Sequence, residues 1–141
     1  MVVNYDNMNL NIVCVYAPTQ PALRNSFLQS IHQFFFSNAC LIICDDFNCY
    51  DNSLDKFGGN PVLSAEFPLL TSNFGLDDAW SFKNQRMSQF TWFNAALTIG
   101  SRLDTFLVSR NLRDCIQSCE ICPCTFVTFF GKTDTNAFPL I

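Results

Sequence analysis

The chain has 141 residues, 49% of them hydrophobic and 14% charged, with sixteen phenylalanines and a formal net charge of −4. That length suits one domain with a single core, and so apolar a composition excludes an intrinsically disordered chain. The acidic balance argues against a strong autonomous nucleic-acid binder, whose affinity comes largely from neutralising phosphates with Lys and Arg.

Leu10 to Tyr16 is a β-branched run closed by Ala17-Pro18, which reads as a buried strand running into a loop. Thr19 or Gln20 can cap a helix with Pro21 in its first turn. From Ala22 to Phe36, Leu23, Phe27, Ile31, Phe34 and Phe35 recur at helical spacing and predict one broad apolar face. Ala39 to Cys44 reads as a second buried strand, with Asp45 and Asp46 at its end. Strand, helix, strand is a crossover unit and implies a parallel neighbour or a mixed sheet, hence an α/β (α+β) class.

Gly58-Gly59-Asn60-Pro61 breaks the chain, and Glu66 to Phe74 predicts a short helix stopped by Gly75. Phe90 to Phe93 and Leu103 to Val108 read as further strands, with a turn between Ala95 and Gly100. Ser109 can cap a last short helix to about Ile116, and beyond Pro123 the tail is Phe-rich. There is no internal repeat and no second-domain linker. No window of about eighteen residues is uncharged and apolar, and no signal-peptide pattern opens the chain. No membrane partner is therefore expected, and a nuclear or cytoplasmic setting is. Eight cysteines in that setting read as free thiols.

Asp46-Phe47-Asn48 places a carboxylate and an amide on the same side of the chain at a strand end, with Phe47 turned back into the core. A carboxylate can orient or deprotonate a water, and an amide can donate to a phosphoryl oxygen. The plain structural alternative is an Asx turn after a strand. Ser101-Arg102-Leu103-Asp104 enters a strand, where an Arg-x-Asp taken alone is a strand-end ion pair; Tyr16 beside a proline is, by itself, packing. The single histidine, His32, sits beside the apolar face of its helix and reads as a boundary residue. Cys115, Cys119, Cys122 and Cys124 are closely spaced, but a zinc ribbon needs two knuckles separated by a loop, so no metal ligands are assigned.

In order along the chain stand Tyr16-Ala17-Pro18, Asp46-Phe47-Asn48, Leu54-Asp55-Lys56 with Gly58-Gly59, Gly75-Leu76-Asp77-Asp78-Ala79-Trp80, Phe90-Thr91-Trp92 and Ser101-Arg102-Leu103-Asp104. This series resembles the endonuclease/exonuclease/phosphatase superfamily, and most of all the endonuclease domain of LINE-type (non-LTR) retrotransposons. The resemblance spans Leu10 to Pro123. It implies a sandwich of two mixed sheets flanked by helices, metal-dependent phosphodiester hydrolysis with Mg²⁺ as cofactor, and DNA as partner. It implies that Asp46 and Asn48 handle the attacking water and the scissile phosphate, and that the Tyr16 hydroxyl reaches that phosphate. Asp104 would hold a catalytic histidine in one tautomer, and Arg102 would pair with that Asp or reach a phosphate.

The chain departs from this pattern at both ends. Met1 falls near the middle of the family domain, and Asn4, Asp6 and Asn7 do not match its metal-binding Glu motif. Where the family closes on Ser-Asp-His, this chain has Val127-Thr128-Phe129, and Thr133-Asp134-Thr135 also lacks the histidine. The expected organisation is a partial endonuclease-like domain over 1–126, a partial sandwich, followed by a divergent tail over 127–141. Most of the oxygen shell that Mg²⁺ prefers is missing, and Asp104 has no imidazole to orient, so impaired catalysis is expected. Missing strands would leave an apolar face and a sheet edge for another protein chain to cover. The alternatives are a non-catalytic protein-interaction module or a translated retrotransposon relic. Nothing in the residues separates DNA, abasic RNA and phosphoinositide substrates.

Overall fold

The computed structural model describes residues 1–5, 7–36 and 39–122, together with 126–127 and 133–134. β1 (Val2–Tyr5) and β2 (Met8–Tyr16) form an antiparallel hairpin. α1 (Pro21–Ser30) has Pro21 at its start and tightens into a 3₁₀ turn at Ile31–Phe34. β3 (Cys40–Asp46) then returns parallel to β2, completing the crossover unit. β4 (Lys56–Phe57), α2 (Glu66–Asn73), β5 (Leu76–Asp78) and α3 (Ala79–Lys83) follow. β6 (Trp92–Phe93) and β7 (Gly100–Ser101) form a hairpin, and β8 (Asp104–Ser109) leads into a 3₁₀ turn at Arg110–Cys115. In the tail, β9 (Phe126–Val127) pairs with β10 (Thr133–Asp134); the rest of the expected 127–141 segment lies outside the described residues.

The class is mixed α/β. A five-stranded mixed sheet has the order β1-β2-β3-β8-β5, and a second, three-stranded sheet has the order β4-β7-β6. β-branched and apolar residues of β2, β3 and β8 alternate sides, as the strand period requires. Val15, Leu41, Ile43 and Leu107 face α1 and α2, where Leu28, Ile31, Phe67 and Leu70 close the core. On the opposite side Ile12, Cys14, Ile42, Cys44 and Phe106 are half-buried or exposed.

Two expectations need correcting. The apolar stripe predicted over Ala22–Phe36 is buried only in part: Ile31 is in the core and Phe27 and Phe35 pack against it. Leu23 is 55% and Phe34 57% exposed, and Arg24 and Leu28 take the inward places beside Ile31. The helix ends at Ser30, and the tighter three-residue turn that follows rotates Phe34 away from the sheet. Ser109 does not cap a helix. Its hydroxyl accepts from Leu41 N–H at 2.7 Å and donates to Leu41 O at 3.2 Å, tying β8 to β3, and the segment after it is 3₁₀.

The two sheets are tied by Arg102, which is 2% exposed and lies between β7 and β8. Its Nε donates to Asp55 Oδ1 at 2.9 Å and its Nη2 to Asp78 Oδ2 at 2.5 Å. Asp55 immediately precedes β4 of the second sheet, and Asp78 ends β5 of the first. Asp78 also caps α3 through Trp80 N–H and Ser81 N–H, which brings the Trp80 ring to 4.9 Å from the guanidinium. Burial opposes the charge on Arg102, but Asp78 and Asp55 outweigh it and hold the guanidinium protonated.

A buried pair of this kind is costly to break, because the surviving carboxylates stay desolvated. Arg102→Ala is expected to lose about 3–5 kcal/mol of stability. Urea unfolding followed by tryptophan fluorescence measures it. A loss below about 1 kcal/mol, the range of exposed pairs, contradicts the role given to Arg102.

Candidate active site

The C-terminal end of β3 is where three strands bring chemistry together. Parallel pairing places Tyr16 of β2 beside Asp46, and antiparallel pairing places Asp104 of β8 directly opposite Asp46 on the other side. Tyr16, Asp46 and Asp104 therefore occupy one rung of the sheet. Backbone bonds stitch the loops around them: Ala17 N–H donates to Asp46 O at 2.8 Å, and Phe47 N–H to Leu103 O at 3.0 Å. Phe47 is fully buried and meets the Phe67 ring edge-on at 5.1 Å, which anchors the turn after β3.

Asp46 Oδ1 accepts from the Asn48 N–H at 2.8 Å, an Asx turn, while Asn48 Nδ2 donates to Ala17 O at 2.8 Å. The Asx turn that is the plain structural reading of Asp-x-Asn is present. The turn fixes the Asp46 carboxylate, and the amide of Asn48 is held beside it with one N–H committed to the β2 loop. Two residues close to Asp46 have positive φ, Asp45 before it with φ 97° and Asn48 two after it with φ 51°. Asn tolerates this region; Asp45 inside a strand pays of order 1–3 kcal/mol for it.

Charge crowds this rung. Burial pushes the Asp46 carboxyl above its ordinary value; the Asn48 N–H opposes that, and Asp104 and Asp45 add to it. Burial likewise raises Asp104, the Thr91 side chain pulls it down, and Asp45 pushes it up again. Thr91 is the site residue that sequence reasoning left unassigned. Its Oγ accepts from Leu103 N–H at 3.1 Å and Asp104 N–H at 3.2 Å, setting the entry of β8. The signal was its place in Phe90-Thr91-Trp92, used for the resemblance but given no role.

Tyr16, Asp46, Asn48 and Asp104 are thus gathered at one edge, with Tyr16 75% exposed. Arg102 is not among them: its guanidinium is spent on Asp55 and Asp78 and makes no hydrogen bond or ion pair with Asp104 among the described residues. His32 lies elsewhere. Its ring stacks on Phe74 with centroids 6.3 Å apart, next to Gly75, whose carbonyl accepts from Arg110 N–H at the far end of β8 from Asp104. Among the described residues no group of three or more His, Cys, Asp or Glu could hold a metal ion. Cys124 lies outside the described residues.

No protein-family model and no curated protein sequence matches the chain. Solved structures do. A 3′-5′ exonuclease, NExo, from Neisseria meningitidis is similar with a TM-score of 0.70 at 14% identity over 97% of this chain and 61% of its own. The 3′ phosphatase NExo from Neisseria bound to a product DNA hairpin gives 0.71 at 12% identity, over 97% and 61%. An AP endonuclease from Archaeoglobus fulgidus gives 0.73 at 11% identity, over 99% and 62%. At these identities the likeness establishes the fold, that of the endonuclease/exonuclease/phosphatase proteins, and the chain spans about three fifths of the length of these structures.

Carboxylates directly opposite across a ladder repel when both are charged. Their raised values mean that this repulsion acts at neutral pH and vanishes as pH falls through the carboxylate range and protons are taken up. Asp104→Asn is therefore expected to stabilise the fold at pH 7 by on the order of 0.5 kcal/mol, with the gain shrinking as pH falls. Thermal melts at pH 7 and at a pH within the carboxylate range check this, and a variant less stable than wild type at pH 7 contradicts it.

Proposed function

We propose that this chain carries the water-and-phosphate side of a phosphodiester-hydrolysing site of the endonuclease/exonuclease/phosphatase kind, of LINE-type retrotransposon descent, and that these 141 residues alone do not turn over. The observation that carries the reading is the single rung of Tyr16, Asp46 and Asp104 with Asn48 in the adjoining turn. A raised carboxyl at Asp46 is suited to take a proton from a water held against the turn. The exposed Tyr16 hydroxyl and the uncommitted N–H of Asn48 are donors for phosphoryl oxygens, where negative charge grows. Asp104 is placed to orient an imidazole across the rung from Asp46.

That imidazole has no source in the chain. The only histidine is His32, which stacks on Phe74 near the end of β8 opposite Asp104. Without a member of such a unit, rates typically fall by about three orders of magnitude or more. DNA is the proposed substrate class, since a structural neighbour is seen with a product DNA hairpin, and the proposed setting is nuclear or cytoplasmic. A net charge of −4 argues for weak binding by this chain.

A second reading, a protein-interaction module, is favoured by one observation: the half-exposed apolar face of Ile12, Ile42 and Phe106. On that reading another chain covers this face, and the site residues have no catalytic role.

A supercoiled-plasmid nicking assay with Mg²⁺ or Mn²⁺, run on folded wild type beside Asp46→Ala, tests the inactivity. Equal silence is expected; metal-dependent nicking that disappears in the variant overturns it. Titration with a short abasic duplex, followed by NMR at the Tyr16 ring and the Asn48 side-chain amide, tests the site itself. Shifts at both support a phosphate-facing role, and binding that leaves both unmoved contradicts it.

A further inference from the structure

Outside the candidate site, the open face of the five-stranded sheet holds two thiols in contact. Cys14 of β2 and Cys44 of β3 are register partners on adjacent parallel strands, and their Sγ atoms lie 3.7 Å apart with one S–H donating to the other. Cys14 is exposed and Cys44 half-buried. Neighbouring strands run about 4.8 Å apart, inside the roughly 4.4–6.8 Å between Cα atoms that a disulfide spans. Closing the pair to a bond of about 2.05 Å moves the sulfurs by less than about 2 Å, which side-chain rotation at Cys14 supplies. The other cysteines are differently placed. Cys49 is fully buried, and Cys40 Sγ accepts from Asn111 Nδ2 at 3.1 Å.

We propose that Cys14 and Cys44 form a dithiol site that takes up oxidising equivalents from a small-molecule disulfide and closes into a cross-strand disulfide. The thiolate of Cys14, the exposed partner, attacks one sulfur of glutathione disulfide. The glutathione S–S bond breaks, a Cys14–glutathione bond forms, and the departing thiolate takes up a proton. Cys44, losing its own proton to solvent, then attacks Cys14 Sγ and expels the second glutathione. Two protein thiols are oxidised and one glutathione disulfide is reduced to two thiols. Burial and the hydrogen bond with Cys14 push the Cys44 thiol up to about 12, so it stays protonated at neutral pH and leaves the first attack to Cys14. The raised Cys44 thiol slows its own attack, but at 3.7 Å its effective concentration toward Cys14 is large, which favours ring closure over release of the adduct.

The consequence reaches the sheet edge. Cys14 and Cys44 precede Tyr16 and Asp46 by two residues on the same pair of strands, so the bond fixes β2 against β3 directly beneath that rung. The dithiol site stands independently of the hydrolytic reading.

The test uses the whole reduced chain, incubated with glutathione disulfide, alkylated, digested and mapped by mass spectrometry. The dominant product expected is one linked peptide pair joining Cys14 to Cys44, about tenfold or more above any other cross-link, as a large effective concentration requires. Cys40→Ser should form it equally, and Cys44→Ser should accumulate glutathione on Cys14. A wild-type map without that dominant link overturns the proposal, whether Cys14 is found free, glutathionylated or joined elsewhere. That readout needs no variant to fold.

Discussion

The guanidinium of Arg102 is the constraint on which the rest of this structure depends. A buried arginine must have its charge met by carboxylates and its planar N–H groups by acceptors. Here Asp55, just before the second sheet, and Asp78 of the first meet the charge and accept from Nε and Nη2. The same residue binds through its backbone, Arg102 N–H donating to Asp55 O at 2.8 Å, so the chain between β7 and β8 has little freedom. Two residues later that chain delivers Asp104 opposite Asp46. Thr91, receiving both Leu103 N–H and Asp104 N–H, closes the same corner from the β6 side. The glycine turn after β4 belongs to this corner too. A Cβ on Gly58 would sit 2.2 Å from Thr98 O, and its φ of +64° suits glycine.

What the corner builds is costly in itself. Two half-buried carboxylates face each other, a third stands beside them, and one of the three has a backbone conformation rare for its residue type. A sheet edge arranged only for stability would place opposite charges or β-branched residues on that rung. Strain and like charge concentrated at one strand end, beside an exposed tyrosine, are the pattern expected where a site is kept at the expense of stability.

Much of this was legible in the residues. The crossover unit followed from two β-branched runs around a helical repeat, and parallel pairing of β2 with β3 is its direct result. That Tyr16, Asp46 and Asp104 stand together was implied only by the family resemblance; taken singly, each read as packing, a turn or a strand-end ion pair. The role of Arg102 was not legible, because its partners Asp55 and Asp78 are 47 and 24 positions away and nothing local marks them. With those contacts known, the segments that carried the family resemblance take on a second meaning. Leu54-Asp55-Lys56, Asp78-Ala79-Trp80 and Ser101-Arg102 are the parts of one buried network, so they mark the fold at least as much as any chemistry. The helix face was legible only in part, at Phe27, Ile31 and Phe35, because phenylalanine at helical spacing does not say where a helix tightens into 3₁₀. β1 escaped notice although Val2-Val3 precedes a turn at Asn7 with φ 63°; four residues are too few for a period to show.

The account stands or falls on whether Asp46 and Asp104 share one electrostatic environment at the sheet edge. Carbon-detected NMR titration of the aspartate carboxyls measures it directly. Both midpoints are expected above those of exposed aspartates in the same chain, and replacing Asp104 with Asn should lower the Asp46 midpoint. Ordinary midpoints at both residues, with Asp46 indifferent to the change at 104, would contradict the geometry and the site built on it.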